Sequence, residues 1–242
     1  MTTETKAQRT KVRPLILAAV IVVALGAATL AAATLLRDET TEEATFDANT
    51  VSEIRTMVEA GNVEIETEDR GDIQVVAKLT SGLGSDPQSE VTLEDGILSI
   101  DARCQSFLIS VCRVSYQVTV PTDLELALDL ETTAGNVDLS GASGPVAVRT
   151  AAGTIDVRNH IGEETDLRTT AGNVSFEAST PPARLSIETT AGTITVRVPD
   201  VGYRIDAQTT LGTVNVDLSE APDAEGIIEA ATTTGNIDLG TG

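Results

Sequence analysis

The residues of this chain that could do chemistry are few, and their spacing limits each of them. His160 stands in Asn159-His160-Ile161-Gly162, four residues after Asp156 and in a chain with many serines. A Ser-His-Asp site needs nucleophile, base and orienting acid brought together. One histidine between coils supplies only the base, so His160 reads as a solvated loop residue. Cys104 and Cys112 lie in ARCQSFLISVCRVSYQV, between the alternating runs Leu98, Ile100, Ala102 and Val114, Tyr116, Val118. Those runs read as the two strands of a hairpin, and two cysteines at the ends of a short excursion in an exported domain read as a disulfide. A metal pair would need further ligands. Carboxylates are abundant, but glycoside chemistry needs two at a defined separation across the scissile bond. The aromatics that would hold a sugar are reduced to Phe46, Phe107, Phe176, Tyr116 and Tyr203. No catalytic, cofactor-binding or metal-ligating residue is assigned, and the chain is expected not to be an enzyme.

Charge narrows the partners. Of 242 residues, 37 are acidic and 16 basic, a formal charge of -21. Nucleic-acid affinity comes largely from lysine and arginine neutralising phosphates, so a nucleic-acid partner is excluded. Pro14 to Leu36 is 23 residues without a charge. At about 1.5 Å per helical residue it reaches the ~30 Å hydrocarbon thickness, which predicts a membrane-spanning helix. A cleaved signal is the alternative, since Ala31 and Ala33 are spaced like a peptidase site, but a signal's apolar region usually runs only about 7 to 15 residues. Lys6, Arg9, Lys11 and Arg13 precede the span and an acidic run follows Arg37, so the N-terminus is expected in the cytoplasm and the rest outside. Residues 1–13 carry net +3, which leaves -24 beyond the span. The row Ala24, Ala28, Ala32 would let another helix approach, but so alanine-rich a segment produces such rows by chance. The expected organisation is a basic tail over 1–13, the span over 14–36, an acidic linker over 37–50 and one repeat domain over 51–242.

That domain is built on a phrase. Thr132-Thr-Ala-Gly-Asn-Val137 recurs letter for letter at Thr169–Val174, with near-copies around Thr150, Thr189, Thr209 and Thr232. Gly135, Gly153, Gly172, Gly192, Gly212 and Gly235 are separated by 18, 19, 20, 20 and 23 residues. The third residue before each is threonine; the second after each is valine or isoleucine. Apolar residues alternate on both sides of the glycine, but the phase slips by one across Ala-Gly, as in Leu185, Ile187, Thr189 followed by Ile194, Val196, Val198. A one-residue slip would turn the apolar set outward in a straight strand. The six glycines are therefore read as structural corners, where a positive φ or a bulge lets both flanking strands face one interior. The phrase recurs at Ala60-Gly61-Asn62-Val63 and more weakly around Gly96. A period near 20 predicts an all-β fold, a single-stranded right-handed parallel β-solenoid; a β-sandwich is the competitor, but it needs no position-by-position repeat.

In such a stack, the third residue after each glycine faces solvent about 4.8 Å from its neighbour. Asp138 and Asp156 would then be adjacent like charges. A bound Ca²⁺ would relieve them, yet the glycine-rich calcium loop is missing and the row reads as a solvated acidic face. Only Gly240, Thr241 and Gly242 follow the last phrase, Thr232–Leu239, so the C-terminal coil is read as an uncapped end, with Ile237 and Leu239 at a surface for self-association or a partner.

Tyr116–Pro121 (YQVTVP), Leu124–Leu130 (LELALDL) and the T-T-A-G-[NT]-[VI] coils together resemble the bacterial extracytoplasmic β-repeat domains of unknown function that carry the label adhesin. The resemblance covers roughly residues 51–242. It implies a β-solenoid on the cell envelope and brings no functional residues with it. The functional reading is a membrane-anchored interaction or scaffold module, in adhesion or envelope-stress sensing, whose partner is a protein or an envelope polymer. A carbohydrate-active enzyme and a polymer-binding protein are the alternatives.

Overall fold

The computed structural model describes residues 38–106, 111–122 and 124–242, and its regular elements are strands apart from one 3-10 turn at Ala48–Thr50. After β1 (Asp38–Asp47), an arch of β2 (Glu53–Ala60) and β3 (Val63–Glu68) leads to β4 (Asp72–Ser81), the hairpin β5 (Ser85–Glu94) and β6 (Ile97–Ser106), and β7 (Cys112–Pro121). Six arches come next along the chain, each a strand, a glycine corner and a second strand. They are β8 (Ala127–Ala134) with β9 (Val137–Ser140), β10 (Val146–Ala152) with β11 (Ile155–His160), and β12 (Glu164–Ala171) with β13 (Val174–Ala178). Then come β14 (Arg184–Ala191) with β15 (Ile194–Val198), β16 (Arg204–Leu211) with β17 (Val214–Val216), and β18 (Ile227–Thr234) with β19 (Ile237–Thr241).

The first strand of every arch lies in one sheet and the second in the other, so the chain passes between layers at each corner. The first sheet runs β16-β18-β14-β12-β10-β8-β2-β6-β5 and the second β1-β4-β7-β3-β9-β11-β13-β15-β19-β17. One continuous core lies between them, from Ile54 and Leu98 through Leu130, Val148, Leu167 and Ile187 to Ile228.

The fold is therefore not the single parallel solenoid expected from the repeat. The two sheets are mixed, because β1, β4 and β7 pair antiparallel in one and β5 pairs antiparallel with β6 in the other. Nor do the arches stack in chain order. The last arch, β18–β19, sits between β14–β15 and β16–β17, and the first, β2–β3, sits between β6–β7 and β8–β9. The C-terminal coil expected as an exposed end is thus interior, with Ile237 and Leu239 buried. The physical reason is that every arch presents the same phrase to its neighbours, so any can stack on any other once a connector reaches; residues 217–226 are that connector.

Three more expectations change. The acidic stretch 37–50 is not a linker from Asp38 on, since β1 pairs with β4 over its whole length. Gly96 is no corner: Asp95 (φ 50) and Gly96 (φ 84) form the two-residue turn of the β5–β6 hairpin, where positive φ at both positions matches the strand twist. The strands flanking the cysteines are not a hairpin, because β6 and β7 lie in opposite sheets. The membrane span predicted over Pro14–Leu36 lies outside the described residues; among those described, no helix is long and apolar enough to cross a membrane.

At the corners, a Cβ on Gly135 would stand 1.7 Å from the carbonyl oxygen of Gly61. The same clash, at 1.8–1.9 Å, sets Gly153 against Gly135, Gly172 against Gly153, Gly192 against Gly172, Gly235 against Gly192 and Gly212 against Gly235. The glycines thus form a column in which each backbone occupies the space a side chain would need. Close approach is the requirement shared by all seven positions, more than the positive φ inferred from the phase slip.

The rest of the phrase serves the same column. Thr169, Thr189, Thr232 and Thr209 donate their hydroxyls to the carbonyls of Gly153, Gly172, Gly192 and Gly235 at 3.0–3.3 Å, and Thr150 donates to Gly135 at 3.5 Å. Asn136, Asn173 and Asn236 accept from the backbone N–H of Thr154, Thr193 and Thr213 in the adjoining arch at 2.9–3.1 Å. In the β6–β7 arch, the corner is replaced by the stretch that the Cys104–Cys112 disulfide closes, with the two Cα atoms 5.6 Å apart. Val114 O there takes the place of a glycine carbonyl against Gly61, and Ser115 Oγ accepts from Asn62 N.

Gly192→Val should cost on the order of 1–3 kcal/mol, because the added atoms can only displace the Gly172 backbone. Thr189→Val, which keeps the volume and removes one buried hydrogen bond, should cost about 1 kcal/mol. Urea melts would rank them, and equal midpoints for both variants and the parent would refute the column.

Candidate functional site

The corners make two broad outer faces, one per sheet, and these carry the polar side chains. On the first sheet, the fourth and sixth residues before the glycines, with Glu53 eight residues before Gly61, point outward in stacked rows. They form a zigzag of ion pairs across five strands: Glu53–Arg55 (2.6 Å), Arg55–Asp129 (3.9 Å), Asp129–Arg149 (3.0 Å), Arg149–Asp166 (4.0 Å), Asp166–Arg168 (2.6 Å) and Arg168–Glu188 (3.6 Å). All are at least partly exposed, and such pairs add about 0–1 kcal/mol apiece, so the ladder's main consequence is that arginines neutralise this face. Two shallow grooves of about 490 and 380 Å³ run along it, both bordered by Arg168. Sequence reading missed this ladder, although its signal was present: Arg149, Arg168 and Glu188 stand four residues before a corner glycine, and Asp129 and Asp166 six.

The second sheet's outer face differs. Glu64, Asp138 and Asp156 are directly adjacent on β3, β9 and β11. Burial raises the Asp138 pKa above its ordinary value, and the neighbouring Asp156 raises it further, against a smaller pull from Arg158. Arg158 lies 3.6 Å from Asp156. Among the described residues, no group of three or more His, Cys, Asp or Glu has the arrangement to hold a metal ion. Towards the far end of the same face the charge is compensated: Arg197 donates to Asp238 Oδ2 at 2.6 Å and Asn215 to Oδ1 at 3.0 Å, which lowers the Asp238 pKa.

His160 is not a solvated loop residue. It ends β11 with 0% exposure, its ring edge-on to Phe176 at a centroid distance of 5.7 Å. Asn159 explains this: at φ 53 it makes a bulge between Val157 and His160, which returns the histidine to the core side. Among the described residues, neither ring nitrogen makes a well-formed hydrogen bond, and burial pushes the pKa below the ordinary 6.5 against a smaller upward pull from the Ala142 backbone. No described serine or carboxylate is bonded to His160. The sequence-derived residues are thus dispersed: Cys104 and Cys112 staple one arch, the glycines form the column, and His160 is core.

Residues 125–239 match the family model described as Toastrack DUF4097. Over that stretch the chain is similar to the Toastrack family. The match takes in all six arches of the repeated phrase and a little under half of the chain. A crystal structure of a provisionally named cell adhesion protein from Clostridium sporogenes has the same fold, with a TM-score of 0.54 and 12% identity, over 85% of this chain and 100% of that one. A provisionally named adhesin from Bacteroides fragilis aligns with a TM-score of 0.48 and 12% identity, over 84% of this chain and 97% of that one. No curated protein matches in sequence.

Two titrations are expected from these environments. The unfolded chain takes up a proton on His160 near pH 6.5 while the folded chain resists it, so stability is full above that pH and falls below it, by up to about 1.4 kcal/mol per pH unit, until the depressed folded pKa is reached. His160→Met should remove this component below pH 6.5, and identical pH slopes for parent and variant would contradict the buried neutral ring. Asp138 has the opposite linkage for its charge: its raised pKa means that ionisation costs stability. Asp138→Asn should raise the melting midpoint at pH 7 and lose that advantage as pH falls below the carboxylate range, as paired thermal melts would reveal.

Proposed function

We propose that this chain is a non-catalytic interaction module of the bacterial envelope, held outside the cytoplasm at the membrane, which takes cationic partners on the acidic face of its second sheet. The observation that carries this reading is the adjacency of Glu64, Asp138 and Asp156, where the fold tolerates stacked like charges that a cationic side chain would relieve. The contrast with the first sheet supports it, because there Asp129 and Asp166 are each paired with two arginines of the same chain, whereas in this row, among the described residues, only Asp156 has an arginine, Arg158, beside it. That engagement also weighs against a glycosidase reading of the grooves, since Asp129 and Asp166 are held in ion pairs. The basic residues before the apolar stretch 14–36 and the Cys104–Cys112 disulfide support an oxidising, extracytoplasmic location. Adhesion and envelope-stress sensing are the roles such a module would serve.

Oligolysine is the simplest probe. Its binding to the full chain in mild detergent should weaken several-fold from low to physiological salt, where exposed charges are screened within about 8 Å. Asp138→Asn with Asp156→Asn should weaken it further at fixed salt. Affinity indifferent to both changes would overturn the reading.

A further inference from the structure

The two ends of the stack are built differently. At one end the outermost strands are β1 and β5, both antiparallel to their neighbours and both charged: β1 carries Asp38, Glu39, Glu42, Glu43 and Asp47, and β5 carries Asp86, Pro87, Glu90 and Glu94. Charges and proline on an edge strand are the usual protection against pairing with another chain. At the other end the outermost arch is β16–β17, and each of its strands has a neighbour on one side only among the described residues. Here the core-facing positions Ile205, Ala207 and Thr209 are half-buried where their counterparts in the next arch, Ile228, Ala230 and Thr232, are buried. Val214 is 41% exposed although its counterpart Ile237 is 1% exposed.

One substitution in the repeat falls at this arch. The residue before the corner glycine is Ala134, Ala152, Ala171, Ala191 and Thr234 in the other arches of the phrase, and Leu211 here, 65% exposed. A bulky apolar side chain thus stands on the arch whose apolar end is open.

The geometry points to a second copy of this chain as the occupant of that end, paired antiparallel through β16 about a two-fold axis at Gln208. The strand is self-complementary in that register. Directly opposite residues share a face, so Leu211 meets Ile205 of the second copy, Thr209 meets Ala207, and Asp206 meets Thr210. Like charges never face one another, and the apolar positions of each strand lie over those of the other, closing the open end of both cores. Such a pairing is isologous and finite, giving a dimer and not a fibre. It does not depend on the cationic-partner reading, which concerns a different face.

The test uses the full chain in mild detergent with Gln208→Cys, an exposed outward position on the axis. Opposite Cα atoms in an antiparallel pair lie about 4.5–5.5 Å apart, within reach of a disulfide. Oxidation should give a covalent dimer on a non-reducing gel, at least several-fold more than from Thr170→Cys on the outer face of the interior strand β12. Adding Leu211→Glu should return the yield to that control level. Sedimentation of the unsubstituted chain should show a dimer that Leu211→Glu dissociates; since the stretch 14–36 is common to both, association through it would survive the substitution. The proposal fails if Gln208→Cys cross-links no better than the control, or if Leu211→Glu leaves the dimer intact.

Discussion

The structure depends on how closely two backbones can approach at a corner. Neighbouring arches hydrogen-bond along both sheets at once, and the ladder continues through the turn, as in Gly153 N to Ala171 O and Ile155 N to Asn173 O. That continuity holds the glycine carbonyl of one arch where the next would carry its Cβ. Any other residue would push the arches apart at one rim and splay both sheets. The threonine beside every corner from Gly153 on results from the same geometry, because a carbonyl aimed into a close-packed interior needs a donor and the Thr Oγ1 three residues before the next glycine is within reach; Thr132 is buried without such a partner. The asparagine after the glycine takes the backbone N–H that the turn would otherwise leave exposed. The phrase is thus one constraint and two consequences.

This explains how much of the fold could be read from the sequence. Periodicity, the phase slip and the Thr-x-x-Gly spacing identify arches, because each is set by residues close in the chain. Stacking order is set by connectors, and the phrase is silent about it: Thr232 donates to Gly192 and Thr209 to Gly235, yet either threonine could serve either glycine. The trace left in the sequence is the spacing of 23 residues between Gly212 and Gly235 against 18–20 elsewhere, the extra length of a connector that doubles back. Antiparallel pairing of β1 was hidden for another reason. Its strand is dominated by charge, as an edge should be, and charge without apolar alternation reads as a linker.

The candidate sites were legible to different depths. Asp138 and Asp156 could be placed side by side from the repeat alone, since each is the third residue after a corner. Glu64 joins them through an arch far away in sequence that stacks out of order. His160 was misplaced because one residue, Asn159, adopts a left-handed conformation and flips the parity of the next residue along the strand. A pattern of alternation cannot announce its own interruption when the interrupting residue is equally at home in a loop.

Repetition also sets what the two faces can become. In a stack held by the core and the corner, outward side chains are free of structural duty, so their charges accumulate in rows whose spacing the ladder fixes. Opposite signs in adjacent rows produce the self-neutralised face of Arg55, Arg149 and Arg168, which offers little to an ion beyond what it already holds. Like signs in one row produce the Glu64–Asp138–Asp156 face, where burial and the neighbouring Asp156 raise the cost of ionising Asp138. The second arrangement is the less stable, and the domain keeps it on the sheet opposite the one that carries the arginine ladder. An acidic row retained at a cost in stability, with arginine rows available one sheet away, is what a surface for cationic partners would require.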